Sequence, residues 1–96
     1  MIKSEVQPVN TNNKYKRYEQ EVQCLRNITY DDKNWKSFII FIEYFQEGSN
    51  ADLSYQFFET EEQGRAEFKK QLEEFKAEYL VAGLHNRQGE VEGFMA

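Results

Sequence analysis

The sequence is poor in the residues from which covalent and metal-bound scaffolds are built. Its 96 residues include one Cys, one His and one Pro. A lone Cys cannot form an intrachain disulfide, and small secreted domains usually depend on several, so the composition favours a reducing compartment. One Cys and one His cannot supply the ligands of a zinc site within the chain. We therefore predict that the protein needs no metal and no cofactor.

Long apolar runs are also missing. The longest purely apolar run is 38–42, far short of the ~20 residues that a membrane helix requires. The first ten residues, MIKSEVQPVN, lack the apolar stretch of a signal peptide. These two absences predict a cytoplasmic protein that has no membrane partner.

The residue patterns that announce an active site are absent too. No serine lies in a G-x-S-x-G sequence, and the five glycines match neither spacing of a phosphate-binding loop. We interpret Cys24 as a buried structural residue and His85, the only histidine, as a solvated residue of a turn. The sequence thus predicts no catalytic residues and a protein that is not an enzyme.

Positive charge is scarce in most of the chain. Residues 1–36 carry 7 Lys/Arg against 5 Asp/Glu, a balance of +2, whereas residues 37–96 carry 5 against 12, a balance of −7. The net charge of −5 repels a phosphate backbone, so we expect no direct binding of nucleic acid.

Aromatic residues are abundant at 16% and can fill a core in so short a chain. Residues 1–13 are polar, contain the only Pro and predict a flexible N-terminal arm. Residues 14–96 are then expected to form a single α+β domain. Within it, 35–46 and 53–59 have the composition of strands, and the polar segment 47–52 is typical of a hairpin loop.

The segment 15–30 supports two interpretations. Its apolar residues recur at the spacing of one helical face, whereas Val22, Cys24, Ile28 and Thr29 favour a strand. The segment runs directly into a polar turn and the next strand, and we therefore predict a strand. The alternative is an N-terminal helix.

A helix is predicted from about Glu61 to Ala82. Thr60 and Gln63 match a capping box, and Gly83 can provide a left-handed cap at the other end. Apolar residues form one stripe at helical spacing: Phe68, Leu72, Phe75, Tyr79 and Ala82. After the helix, residues 84–94 suggest a short hairpin or tail with a turn at 86–89.

The predicted fold is therefore a three-stranded antiparallel β-meander with one long C-terminal amphipathic helix packed on one face. The alternative fold is an N-terminal helix, a β-hairpin and a C-terminal helix. In either fold, strand 35–46 is unusual because both of its faces are apolar. One helix covers one face only, so the second face needs another cover: segment 15–28 as a helix, a terminal segment, or a second protein molecule.

The presence of apolar residues on both faces of strand 35–46 leads to a functional hypothesis. We predict a small non-enzymatic protein-interaction module that binds a protein partner or a second copy of itself through the second face. The residues assigned to this interface are Ile39, Phe41, Phe45 and Phe58.

An alternative hypothesis is an acidic inhibitor that imitates nucleic acid, a strategy open to small phage or mobile-element proteins. The acidic face would lie on the predicted helix and the segment just before it, and its residues are Glu59, Glu61, Glu62, Glu67, Glu73, Glu74 and Glu78. Four basic residues on the same segment reduce its negative charge, and the interaction module is therefore the preferred hypothesis.

Overall fold

A computed structural model describes residues 6–45, 50–77 and 79–95. The chain divides into two compact units, Met1–Asp31 and Asp32–Ala96. The elements follow in the order α1 (Val6–Ile28), β1 (Ser37–Phe45), β2 (Asn50–Phe58), α2 (Glu61–Glu74), β3 (Tyr79–Asn86) and β4 (Glu90–Met95). The protein is thus an α+β protein with two helices and four strands among its described residues.

The first unit contains helix α1, which is 23 residues long. Pro8 is tolerated because it lies in the first turn, where the backbone N–H groups have no partner within the helix. Tyr18 and Leu25 are buried and lie seven residues apart, which places them on one face of the helix. The helix ends where the Thr29 hydroxyl donates a hydrogen bond of 2.7 Å to the carbonyl of Leu25.

The second unit is built on one antiparallel sheet with the strand order β2-β1-β3-β4. Strand β1 pairs with β2 from Ser37↔Phe58 to Phe45↔Asn50 and with β3 from Ser37↔Asn86 to Tyr44↔Tyr79. Because β2 and β3 are both antiparallel to β1, they run parallel to each other, and α2 connects them across β1. The two strands at the sheet edges are β2 and β4.

Helix α2 begins with the capping box that the sequence predicts. The backbone N–H of Gln63 donates to Thr60 Oγ1 at 3.1 Å, and the backbone N–H of Thr60 donates to Gln63 Oε1 at 3.1 Å. Phe68 of α2 lies in a core cluster with buried residues of β1 and β3: Ile39, Phe41, Leu80, Ala82 and Leu84. Helix α2 therefore covers the sheet face that carries the odd-numbered residues of β1.

The structure corrects the predicted fold class in its N-terminal part. Residues 15–28 form helix rather than a strand, so the first strand of the predicted meander does not exist. The helical spacing of the apolar residues outweighs the weaker strand preference of Val22, Cys24 and Ile28, since strand preference depends strongly on context. Residues 6–13, predicted as part of a flexible arm, begin α1, and residues 1–5 lie outside the described residues.

The second correction concerns the C-terminal helix, which is 14 residues long and ends at Glu74. Phe75 already has extended backbone angles, φ −68° and ψ 149°, and residues 79–82, predicted as the last helical turn, belong to β3. Strand β3 lies between β1 and β4, and six consecutive residues of it, 80–85, are buried. Pairing along both edges of this apolar run satisfies its backbone groups within the sheet. The predicted turn at 86–89 does connect two paired strands, so the sheet has four strands rather than three.

Candidate interaction surface

Two of the four residues predicted as the interface, Ile39 and Phe41, lie in the core of the second unit. Ile39 and Phe41 are buried, and the rings of Phe41 and Phe68 lie 5.5 Å apart. Phe58 is half-buried at the border of the same cluster, and the side chain of Phe45 lies outside the described residues. Helix α2 covers this face rather than the opposite one. The choice between the two faces could not be made from sequence because both are apolar.

The other face of β1 is not an open apolar surface either. Phe38, Ile40 and Ile42 are each 0% exposed. With both faces of the central strand buried, the accessible parts of this sheet are its edge strands. A binding surface on this sheet would therefore lie along β2 or β4.

The two edges differ in how well they are protected against pairing with another strand. Strand β4 has six residues, carries Glu90 and Glu92 and has a register irregularity opposite Leu84/His85. Short length, charge and bulges are the usual devices that keep an edge strand from pairing with another chain. The β4 edge is thus protected by all three.

Strand β2 has few of these devices. It has nine residues, contains neither Pro nor Lys, carries the single charge of Asp52 and pairs with β1 without a register shift. Residues 52–56 are all exposed, and Tyr55 is 53% exposed. No strand lies on the outer side of β2 among the described parts of the chain. Its outer N–H and C=O groups therefore form a long, regular edge that can accept a further strand.

Leu53 and Tyr55 are the residues of this surface that the sequence interpretation missed. Their alternation with Asp52, Ser54 and Gln56 was readable as a strand pattern. The pattern does not say whether such a strand is central or at an edge. That distinction arises only from the pairing of β1 with β3.

A concave surface lies beside α2. A groove of about 460 Å³ is lined by Glu62, Arg65, Ala66, Phe68, Lys69, Leu72 and Glu92. Arg65 on its rim lies near two carboxylates, 2.8 Å from Glu61 Oε2 and 3.9 Å from Glu92 Oε1. The groove thus offers an apolar floor with a rim of mixed charge and no dominant sign to select a charged ligand.

Six of the seven residues of the predicted acidic face lie on α2 or just before it. Glu61 accepts hydrogen bonds from Arg65 at 2.8 Å and from Asn86 at 3.1 Å, and Glu67 accepts one from Gln71 at 2.8 Å. Glu59, Glu62, Glu73 and Glu74 are exposed, and Glu78 lies outside the described residues. The bond from the Asn86 amide, followed by that from Arg65, lowers the pKa of Glu61 from its ordinary value of 4.5.

The two residues considered for nucleophilic chemistry have environments opposite to those predicted. Cys24 is exposed on α1, whereas His85 is only 4% exposed. The imidazole stacks on the Phe38 ring with centroids 4.9 Å apart, and its Nε2 lies 3.7 Å from Glu90 Oε1. This histidine is held between an aromatic ring and a carboxylate as part of the packing of the sheet.

Within residues 6–45, 50–77 and 79–95, no group of three or more His, Cys, Asp or Glu side chains is arranged to hold a metal ion. The same part of the chain contains no helix long and apolar enough to span a membrane.

No family model, curated protein or solved structure matches this chain.

Proposed function

We propose that this protein is a non-enzymatic protein-interaction module that binds its partner by strand addition along the outer edge of β2. In this mode an extended segment of the partner hydrogen-bonds to the edge backbone, and alternate side chains provide specificity. The main support for this proposal is the contrast between the two edge strands of the sheet. Strand β4 is short, irregular and charged, whereas β2 is long, regular and almost uncharged.

The side chains of β2 suit this mode of binding. One face of the strand carries Leu53, Tyr55 and Phe57, of which the first two are exposed and Phe57 is half-buried. The other face carries Ser54 and Gln56. The rings of Tyr55 and Phe57 lie 6.1 Å apart, with an angle of 78° between their planes. An added strand can extend this aromatic row on one face and meet polar groups on the other.

The alternative proposal is that the acidic face imitates nucleic acid. The basic residues near this face make that function less favoured than the interaction module. Arg65 lies within ion-pair distance of Glu61 and Glu92, and Lys69 stands one helical turn after it. A surface that imitates a phosphate backbone needs a continuous field of one sign. The mixed signs along α2 therefore support the interaction module over the imitation of nucleic acid.

The proposal can be tested by site-specific photocrosslinking in the cells that produce the protein. We would replace Tyr55 on the β2 edge by p-benzoylphenylalanine and compare it with the same replacement at Tyr30 of the first unit. Both positions are exposed tyrosines, at 53% and 73%, so the variants differ in location and not in chemistry. We expect a protein adduct at position 55 and none at position 30.

A second variant makes the result specific to the edge. Adding Ser54→Lys places an ammonium group on the exposed edge and should abolish the adduct at position 55. No adduct at position 55, or equal adducts at both positions, would show that β2 is not a binding edge.

A further inference from the structure

We infer that the strand added to β2 is β2 of a second copy of this chain, paired antiparallel about a two-fold axis that passes between the two Ser54 residues. This inference rests on the proposed function, since it identifies the partner of the same edge. The two sheets would then join into one continuous sheet of eight strands. Such a contact is isologous, which is the usual geometry of a homodimer.

The length of the strand supports this register. Ser54 is the central residue of Asn50–Phe58, so a two-fold axis at Ser54 pairs all nine residues of each copy. Moving the axis to a neighbouring residue leaves unpaired residues at the strand ends. The register with the largest number of backbone hydrogen bonds is therefore the one centred on Ser54.

The charge of the strand supports the same register. Asp52 lies opposite Gln56 of the second copy, where a carboxylate can accept a hydrogen bond from an amide. The two Asp52 carboxylates are then four residues apart along the strand, about 13 Å at ~3.3 Å per residue. This separation exceeds the Debye length of ~8 Å at physiological ionic strength, so their repulsion is largely screened.

The apolar residues also match in this arrangement. Leu53 lies opposite Tyr55 of the second copy, and Ala51 lies opposite Phe57, all on one face of the joined sheet. Aromatic side chains thus meet aliphatic ones on either side of the axis. Centring the axis on Asp52 would instead place the two carboxylates directly opposite each other, which is destabilising.

The first test is the molar mass of the intact chain by light scattering over a concentration series. We expect the mass to rise from that of one chain, 11.5 kDa, to twice that value. Ser54→Lys places two ammonium groups face to face on the axis and should weaken dimerisation at least tenfold. Gln88→Lys, the same charge at an exposed position of the β3–β4 turn, should leave dimerisation unchanged.

The second test measures the register of the two strands. In a Cys24→Ser background, Ser54→Cys places two thiols directly opposite each other, whereas Asp52→Cys places them about 13 Å apart at ~3.3 Å per residue. Under mild oxidation we expect a covalent dimer from the first variant and at least tenfold less from the second. Efficient crosslinking at position 52 would overturn the register centred on Ser54.

The outcomes separate this inference from the proposed function. A mass of one chain at every concentration overturns self-association. If position 55 then still forms an adduct with a different protein, binding at the β2 edge stands and only the identity of the partner is wrong. If neither a dimer nor an adduct forms, both proposals fail.

Discussion

Gly64 of α2 packs directly against Ser37 of β1. A Cβ atom added to Gly64 would lie 2.4 Å from Ser37 Oγ and 3.1 Å from Leu84 Cδ1. The Ser37 hydroxyl is buried and donates a hydrogen bond of 2.8 Å to the Thr60 carbonyl, so it cannot rotate away without losing that bond. The absence of a side chain at Gly64 therefore allows α2 to approach the sheet.

Replacing Gly64 by Ala should destabilise the protein, although Ala is the better helix former. The gain in helix propensity is about 1 kcal/mol, whereas forcing a methyl group into a packed site costs about 1–3 kcal/mol. We expect a net loss of up to about 2 kcal/mol in the free energy of unfolding, measured by urea denaturation.

Two further variants control for propensity and for contact. Ala66→Gly at an exposed position of α2 should cost about 1 kcal/mol from propensity alone. Ser37→Ala in the Gly64→Ala background removes the closest atom, so the double variant should lose less stability than the two single losses combined. Strict additivity would contradict the contact.

Thr60→Ala should destabilise α2 because it removes the hydroxyl group that accepts the hydrogen bond from the backbone N–H of Gln63. The expected loss is about 1 kcal/mol in thermal or chemical unfolding. Thr60→Ser retains the hydroxyl group and should remain within about 0.5 kcal/mol of the parent protein. Equal losses in the two variants would mean that the hydroxyl does not cap the helix.

Arg87 should not be replaceable by Lys without loss of stability. Its guanidinium lies 3.9 Å from the centre of the Trp35 ring, its Nε donates to the Trp35 carbonyl at 3.0 Å, and its Nη2 donates to the Asp32 carbonyl. A lysine ammonium lacks the planar group needed to make these contacts together. We expect Arg87→Lys to cost about 1–2 kcal/mol.

The same variant should change the fluorescence of the protein, because Trp35 is the only tryptophan. The control is Arg65→Lys, at a side chain that is 53% exposed, which should leave both emission and stability nearly unchanged. Unaltered emission in Arg87→Lys would show that the guanidinium does not contact the indole in solution.

The carboxyl group of Glu61 should titrate at a lower pH in the folded protein than in the unfolded chain. The Asn86 amide bond and the Arg65 guanidinium both favour its charged form and lower its pKa. Its contribution to stability is therefore fully present above the unfolded-state pKa and is lost as the pH falls through the folded-state pKa. An NMR pH titration of the Glu61 side chain measures the shift directly.

Substitution of the two partners should rank their effects. Asn86→Asp keeps the acceptor for the Gln88 and Gly89 amides but replaces the donor to Glu61 by a carboxylate, so the pKa of Glu61 should rise. Arg65→Met should raise it less, because Asn86→Asp both removes the bond with the larger effect and adds a second negative charge beside Glu61. A larger rise in Arg65→Met would reverse the assignment of the main cause.

The candidate surface was only partly accessible to sequence analysis. The alternation of apolar and polar residues in 53–59 identified the strand, and the apolar run 38–42 identified β1. The assignment of Ile39 and Phe41 to an interface depended on which face the helix covers, and neither face of β1 carries a signal for that choice. The edge position of β2 depended on β3, whose first four residues, 79–82, were predicted as the end of a helix.

The features that could be predicted from the sequence alone are those formed by local interactions. The capping box at Thr60, the helical spacing around Phe68 and the β1–β2 hairpin all involve residues close in the chain, so their signals are readable from the order of residues. Three features depend on tertiary contacts instead. Helix α2 ends at Glu74, residues 79–86 pair with β1 in the sheet, and β2 lies at the sheet edge. These outcomes depend on pairing between segments more than 30 residues apart, where the apolar run 80–84 stabilises a central strand more than a further turn of helix.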